Sequence, residues 1–502
     1  MVDAGERSTR EWRRLLPGLK LPEEAPADMD LGPMRQYELH TRKARQSRHI
    51  PGCSSIAIHK DQVLQAGAFG WSDLEHGHPM GMDTIVRLYC LTKPMIATSL
   101  MMLVERGKCR LEDEVSKYLP EFKGIRVCSK KGNLHCTPED KPTERKMTLR
   151  RLLTHCSGLG YGAGLGMEPA GPDEAAYSQI PKDCDVGKIE SLAELCKRLA
   201  ALPLRFQPGE KYFYSYGLDV VGRVVEVISG QRLDMFLKSE IFNPLGMRDT
   251  GFAVPPSVAK KRLAAVYSSP YDRKAMGLKL APRSLRHKSQ LGTLVRVDGD
   301  RPEQSAWVAG RHCPVLSGGG LMGMNRGGMV STIVDQMRFY LMLLRGGQLS
   351  LQTKRLLTPG TIKEMWTSDW LTSPKTVGKI CRDKGKQFGW HALGEIATVK
   401  RPGTYPEVFE MGEWGMAGAA ETHVTVNLRK QLLCLWFTQA TEGWPGFKGP
   451  EQNLWLAANK VIAQQAKARE AVAAAGRAPA TRRRRASSVQ ARGAAAKRAR
   501  AA

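Results

Sequence analysis

Lys93 follows Cys90 by three positions, at the head of Pro94 to Gly107, a run that is apolar almost all round. Such a run belongs to a helix buried in the centre of a domain. One helical turn would then set the Lys93 amine beside the Cys90 thiol. A thiol is a better nucleophile once ionised, and a neighbouring ammonium favours the thiolate. A pair of this kind could attack a carbonyl carbon and hold the acyl group as a thioester. The competing reading makes Cys90 an inert small residue. The other ten of the 11 cysteines read as single buried or half-buried thiols. Their spacings are irregular, none forms C-x-x-C, and no Cys/His cluster has zinc-ligand spacing, so neither metal nor cofactor is expected. His59, His76 and His78 fall in or near the N-terminal β segment and read as surface groups. His155 precedes the Ser157-Gly158 turn and reads as structural. Asp219 reads as a cap or orienting group at a helix start. Glu413 and Glu421 have no metal-ligand partner in sequence.

The elements that must hold these groups are legible as patterns. Met34 to His49 is predicted helical. Ile56-Ala57-Ile58-His59 and Val63-Leu64-Gln65-Ala66 flank Lys60-Asp61-Gln62 as a β-hairpin. Thr148 can cap a helix from Leu149 to His155. Leu218, Val221, Val225 and Ile228 recur at helical spacing before Gly230, and Val334, Met337, Leu341 and Leu344 repeat that pattern before Gly346-Gly347. Beyond Gly418 the period becomes two: Thr422 to Val426 alternates, and Leu432 to Thr438 is a buried apolar run. Strands at both ends with helices between predict an α+β fold, one antiparallel sheet closed by the two chain ends around an inserted helical region. Segment 127–146 reads as a charged insertion loop, and 270–312 as a second polar, irregular stretch.

These pieces carry a family resemblance. GMDTIVRLYCLTKPMIATSLMMLVERGK (Gly81 to Lys108) resembles the serine β-lactamase and penicillin-binding-protein superfamily. It is most similar to the class-C-like branch with family VIII carboxylesterases and D-aminopeptidase-like enzymes, in which a serine nucleophile stands three residues before a lysine. Lys93 and Pro94 match, while the serine position holds Cys90. TLRRLLTHCSGLGYG (Thr148 to Gly162) resembles the family's helix-and-turn segment. FYSYGLDVVGRVVEVISGQ (Phe213 to Gln231) resembles the segment whose tyrosine hydroxyl points at the nucleophile; Tyr214 falls on it, and Tyr216 stands where an asparagine is often found. The run from Ser317 to Gly347 resembles the family's Gly-rich turn and following helix. GEWGMAGAAETHVTVN places Met416-Ala417-Gly418 at the family's Gly-ending triplet and Ala419 at its oxyanion donor. The resemblance covers roughly residues 35 to 460 and implies a β-lactamase/transpeptidase-like fold.

It also implies a function: hydrolysis of an ester or amide through a covalent acyl-enzyme. Cys90 would be the nucleophile, with Lys93 and Tyr214 as the base and acid pair. The N–H groups of Cys90 and Ala419 would hold the oxyanion, and Gly418, Met416, Ala417 and Tyr216 would line the substrate. Met416-Ala417 lacks the lysine or histidine that would bind a β-lactam carboxylate, so an uncharged ester, amide or lactone suits the site better than an antibiotic. The alternative is a catalytically inactive pseudoenzyme that keeps the pocket as a scaffold or binding protein.

Composition sets the outer limits. The chain has 502 residues, 42% hydrophobic and 25% charged, which excludes wholesale disorder and a small disulfide scaffold. Lys and Arg total 76 against 49 Asp and Glu, a net charge of +27, of which +10 lies from Lys467 onwards. The remaining +17 makes a basic surface and not a nucleic-acid groove. Three regions are expected: a charged, proline-rich, partly disordered leader (1–33), one domain (34–465), and a basic Ala/Arg-rich disordered tail (466–502). Within that tail, Arg484-Arg485-Ala486-Ser487 resembles a basophilic-kinase site at Ser487. Together with Lys497-Arg498 the run resembles a bipartite nuclear import signal. The tail could thus meet an import receptor or an anionic partner such as RNA. No secretory h-region opens the chain, and Met95 to Val104 is too short to span a bilayer. A reduced, intracellular location, cytoplasmic or nuclear, is the expectation.

Overall fold

The computed structural model describes residues 14–16, 18–46, 50–128, 141–161, 174–185, 187–268, 294–298, 305, 307–309, 315–319, 327–367, 388–397, 413–441 and 450–477. Helix α1 (Gly32–Gln46) leads into strands β1 (Gly52–His59) and β2 (Gln62–Asp73), which form the expected hairpin. Lys60 turns the chain with φ 57°, and the ladder shifts register between Ala57 and Ile58. Strand β3 (His78–Pro79) pairs along β2. The rest of the sheet comes from the other end of the chain: β4 (Phe388–His391), β5 (Gly394–Ala397), β6 (Trp414–Gly418), β7 (Thr422–Asn427) and β8 (Leu432–Phe437). The spatial order is β4-β5-β6-β7-β8-β1-β2-β3, and every neighbouring pair is antiparallel. The join between the two ends is β1 against β8, with Ser54 opposite Phe437 and His59 opposite Leu432. The fold is therefore the expected α+β arrangement, with the helical region inserted between β3 and β4.

Strand β8 shows how the sheet makes two cores. Its period of two sends Leu433, Leu435 and Phe437 to one face and Leu432, Cys434 and Trp436 to the other. The first face packs on the inserted helices: α2 (Lys93–Glu105), α3 (Leu149–Leu153), α4 (Gly217–Ser229) and α5 (Ile333–Leu344). The second is covered by α1 and by α6 (Pro450–Arg477), through Tyr37, Leu454, Trp455 and Val461. Ala458 and Val461 seat the first half of helix α6 on the sheet, and the helix runs on with its residues 466–474 exposed. Ser487 and the basic run around it lie outside the described residues. Within the leader, Leu16 and Leu21 are buried in the main core. Val295–Arg296, inside the stretch read as polar and irregular, pairs with Tyr267–Ser268, held by Arg296 ion pairs to Asp73 (2.9 Å) and Asp298 (3.0 Å).

The caps follow the sequence with one departure. Thr148 accepts from the Arg151 N–H and Thr332 from the Asp335 N–H, starting α3 and α5, and Gly230 ends α4 with φ 70°. Helix α3 stops at Leu153, short of the expected His155, because His155 itself is left-handed at φ 55°. Among the described residues no helix is long and apolar enough to cross a membrane.

Candidate active site

Lys93 opens α2, and Cys90 lies in the single 3-10 turn Tyr89–Thr92 that precedes it. Tyr89 holds φ 47°, a left-handed conformation that a bulky residue adopts only when its surroundings enforce it. The enforcement is visible on both sides. The Leu88 N–H donates to Met329 O (2.9 Å), and Thr92 Oγ1 accepts from the Met329 N–H (2.9 Å). Two residues upstream of Leu88, Val86 pairs in a short strand with Ser331. The Arg87 backbone is bracketed by the Gln439 side chain, which accepts its N–H at 2.9 Å and donates to its carbonyl at 3.2 Å. Tyr89 packs edge-on to Trp307 at 5.7 Å, while the buried Arg87 guanidinium lies 5.1 Å over the same indole and pairs with Asp298 at 2.5 Å.

Cys90 is 8% exposed in this turn, and its thiol lies close enough to the Lys93 amine and the Tyr214 phenol to bias the protonation of both. Lys93 is buried; its Nζ donates to Gly319 O and sits 4.5 Å from the centre of the Tyr214 ring. Burial holds the Lys93 ammonium below the ordinary lysine range, opposed by the nearby Cys90 and Asp219. Burial likewise pushes the Tyr214 phenol well above its usual range, with the sulfur adding to the shift. The three residues expected to work together are thus in contact.

Two residues expected to be structural stand directly behind them. His155 stacks on Tyr214 with ring centres 4.4 Å apart, and its Nδ1 accepts from the Ser215 N–H at 3.1 Å, so the ring proton belongs on Nε2. Its backbone carbonyl accepts from the Phe213 N–H at 2.9 Å, so one residue ties down both neighbours of Tyr214. Asp219, in the first turn of α4, accepts from the Ser317 hydroxyl at 2.7 Å, and its charge acts on Lys93. Gly319 can have no side chain there, because a Cβ would overlap the Asp219 carboxylate. Tyr161 was not singled out by sequence; only its place at the end of the helix-and-turn segment marks it. Its buried ring meets Tyr214 edge-on at 5.5 Å and leans on Tyr216 at 4.8 Å. Tyr216, expected to line the substrate, is buried against it at the start of α4.

The lining strand is β6. Met416 is buried, the Ala417 side chain is exposed, and Gly418 packs on the Leu88 carbonyl, two residues before Cys90. A Cβ at Gly418 would overlap both that oxygen and Thr422 Oγ1, which itself hydrogen-bonds Leu88 O at 3.3 Å. Glycine therefore lets the strand end, with Ala419 next, close on the Cys90 turn. Glu413 accepts from Asn427 at 2.8 Å, and Glu421 pairs with His423 at 2.5 Å. His76, as expected, is exposed and pairs with Asp73 at 3.0 Å. His59 is not the surface group expected: the β1–β2 hairpin folds back beside β8, and burial lowers the imidazole to about 4.

The arrangement has counterparts among known proteins. The Beta-lactamase family model matches residues 38–459. Protein Rv1367c of Mycobacterium tuberculosis is 29% identical over 387 residues, 73% of this chain and 82% of the relative. Esterase EstB of Burkholderia gladioli is 36% identical over 229 residues, 45% of this chain and 52% of the esterase. Among solved structures, unliganded simvastatin synthase (LovD) from Aspergillus terreus superposes with a TM-score of 0.64 at 22% identity, covering 86% of this chain and 99% of that one.

Proposed function

The chain belongs to the β-lactamase family, and on that footing we propose that it is an ester or amide hydrolase working through a thioacyl-enzyme on Cys90. One observation carries the reading: a thiol at the head of a buried helix stands beside a buried amine and a buried phenol, Lys93 Nζ lying 4.5 Å from the centre of the Tyr214 ring. The lowered Lys93 basicity leaves more of the amine neutral near pH 7, free to take the Cys90 proton as sulfur attacks. Tyr214, kept protonated by burial, relays a proton to the leaving group. The N–H groups of Cys90 and Ala419 receive the developing oxyanion. The relatives' names support this class, since they include esterases and acyltransferases.

Met416 and the Ala417 methyl offer no cation to a substrate carboxylate, so neutral esters and amides fit the strand better than penicillins. The test is hydrolysis of p-nitrophenyl butyrate with intact-mass analysis. A butyryl adduct on Cys90, and loss of turnover in Cys90→Ala, are the expected results. Equal turnover by wild type and Cys90→Ala, with no adduct, would defeat the reading and favour an inactive scaffold.

A further inference from the structure

We infer that Trp307 is a positioning residue for acylation: its indole holds Tyr89 left-handed and so fixes where Cys90 presents its sulfur to a carbonyl. The inference rests on Cys90 as the nucleophile proposed above. In the step concerned, the Cys90 S–H bond breaks and sulfur bonds the acyl carbon. The proton passes to Lys93 Nζ and is relayed through Tyr214 to the departing alcohol or amine. Trp307 itself comes from the stretch read in sequence as polar and irregular, far from Cys90 along the chain.

The buried indole meets the nucleophile turn from both sides. The Arg87 guanidinium lies 5.1 Å over its ring, and the Tyr89 ring meets it edge-on at 5.7 Å and 73°. The two residues flanking Leu88 therefore rest on one side chain. The indole Nε1–H donates to Gly328 O at 3.3 Å, and the next residue, Met329, holds the Leu88 N–H and the Thr92 hydroxyl. Trp307 thus joins the two segments that grip Tyr89–Thr92. A side chain that only filled the core would not have to reach both.

The indole is in turn held from behind. Trp307 O accepts from the Val254 N–H at 2.9 Å, and the Ala309 N–H donates to Val254 O at 2.9 Å. Ser305 Oγ accepts from the Trp307 N–H at 3.4 Å and from Arg87 Nη2 at 2.9 Å. The wholly buried Arg87 side chain also donates to Ala264 O and to Asp298, each at 2.5 Å. It cannot leave the indole without stranding the Asp298 charge in the interior, which is costly. Tyr89 at φ 47° would relax to the ordinary negative region without such a clamp. That rotation would swing Cys90, the next residue, out of line with Lys93 and Tyr214.

The experiment uses the full-length protein and p-nitrophenyl butyrate, with thermal melts alongside. Trp307→Leu and Trp307→Phe are made with Tyr89 intact and in a Tyr89→Gly background, because glycine adopts φ 47° without a clamp. With Tyr89 intact, Trp307→Leu should slow the maximal burst at least ~10-fold while KM stays within ~2-fold. Trp307→Phe, which keeps a ring for Arg87 and Tyr89, should stay within ~5-fold of wild type. In the Tyr89→Gly background, Trp307→Leu should cost less than ~3-fold, because the residue it acts through is gone. Damage to the core alone would cost the same in both backgrounds. That equality, a wild-type burst in Trp307→Leu, or a Trp307→Phe loss as large as that of Trp307→Leu would each overturn the inference. Should Trp307→Leu fail to fold, Trp307→Met fills more of the space without a ring and is read by the same criteria. Should Tyr89→Gly be inert, the contrast between Trp307→Leu and Trp307→Phe decides. Intact mass separates the two levels. A butyryl adduct on wild-type Cys90 without these effects removes the role of Trp307 and leaves the hydrolase reading standing; no adduct removes both.

Discussion

Gly418→Ala is the perturbation that most directly tests how the site is assembled. A Cβ there would overlap Leu88 O and Thr422 Oγ1, both fixed by backbone or by a hydrogen bond between them. Restoring an ordinary carbon–oxygen separation requires the end of β6 to retreat by about 1 Å from the Cys90 turn. Misplacement on that scale costs roughly 100-fold in rate, and losing an oxyanion donor costs about 3–4 kcal/mol. Overpacking itself should lower stability by only about 1–3 kcal/mol, so the protein remains folded. Gly415→Ala is the matched control. It lies on the same strand, but its Cβ would meet Val424 O at 3.5 Å, an ordinary contact. The assay is the burst of p-nitrophenolate from p-nitrophenyl butyrate, which reports acylation of Cys90, with thermal melts alongside. The expected result is a burst rate at least ~100-fold slower in Gly418→Ala and within about twofold of wild type in Gly415→Ala. A Gly418→Ala protein that acylates at the wild-type rate would refute the argument that β6 supplies the donor by close approach.

Iodoacetamide near neutral pH should label Cys90 well before Cys53 and Cys434, because burial pushes Cys53 up to about 12 and Cys434 well above its usual range; peptide mapping that finds the three equal would remove the activated-thiol model. His155→Asn, which tolerates φ 55° but removes the ring stacked on Tyr214, should lower kcat by about tenfold with KM nearly unchanged. An unaltered kcat would show that Tyr214 needs no such support. Burial raises Asp335 from 3.8 to about 6, so the native state binds its proton more tightly than the unfolded chain. That stabilising contribution is fully present below the unfolded value and is lost as pH rises through about 6. The stability difference between wild type and Asp335→Asn should therefore fall by about 3 kcal/mol from acid to neutral pH, measured by urea unfolding. A flat difference would mean the carboxyl titrates normally.

Much of this was decided locally and could be read from sequence. The three-residue step from Cys90 to Lys93 needs only one turn of backbone to become a contact. The hairpin, the caps at Thr148 and Gly230, and the change of period beyond Gly418 are likewise set by neighbours along the chain. Family motifs in their proper order pointed to Tyr214 and Gly418, though not to why glycine is required. The tertiary structure decided what depends on distant segments meeting. His155 and Tyr161 lie more than fifty positions from Tyr214 in sequence, and their pattern there suits a plain turn equally well. Asp219 reads as a helix-start residue until Ser317 arrives from a remote loop to hydrogen-bond its carboxylate, whose charge acts on Lys93. The burial of His59 escaped for the same reason. It depends on a surface built by other strands, and single-chain periodicity carries no record of what will cover it.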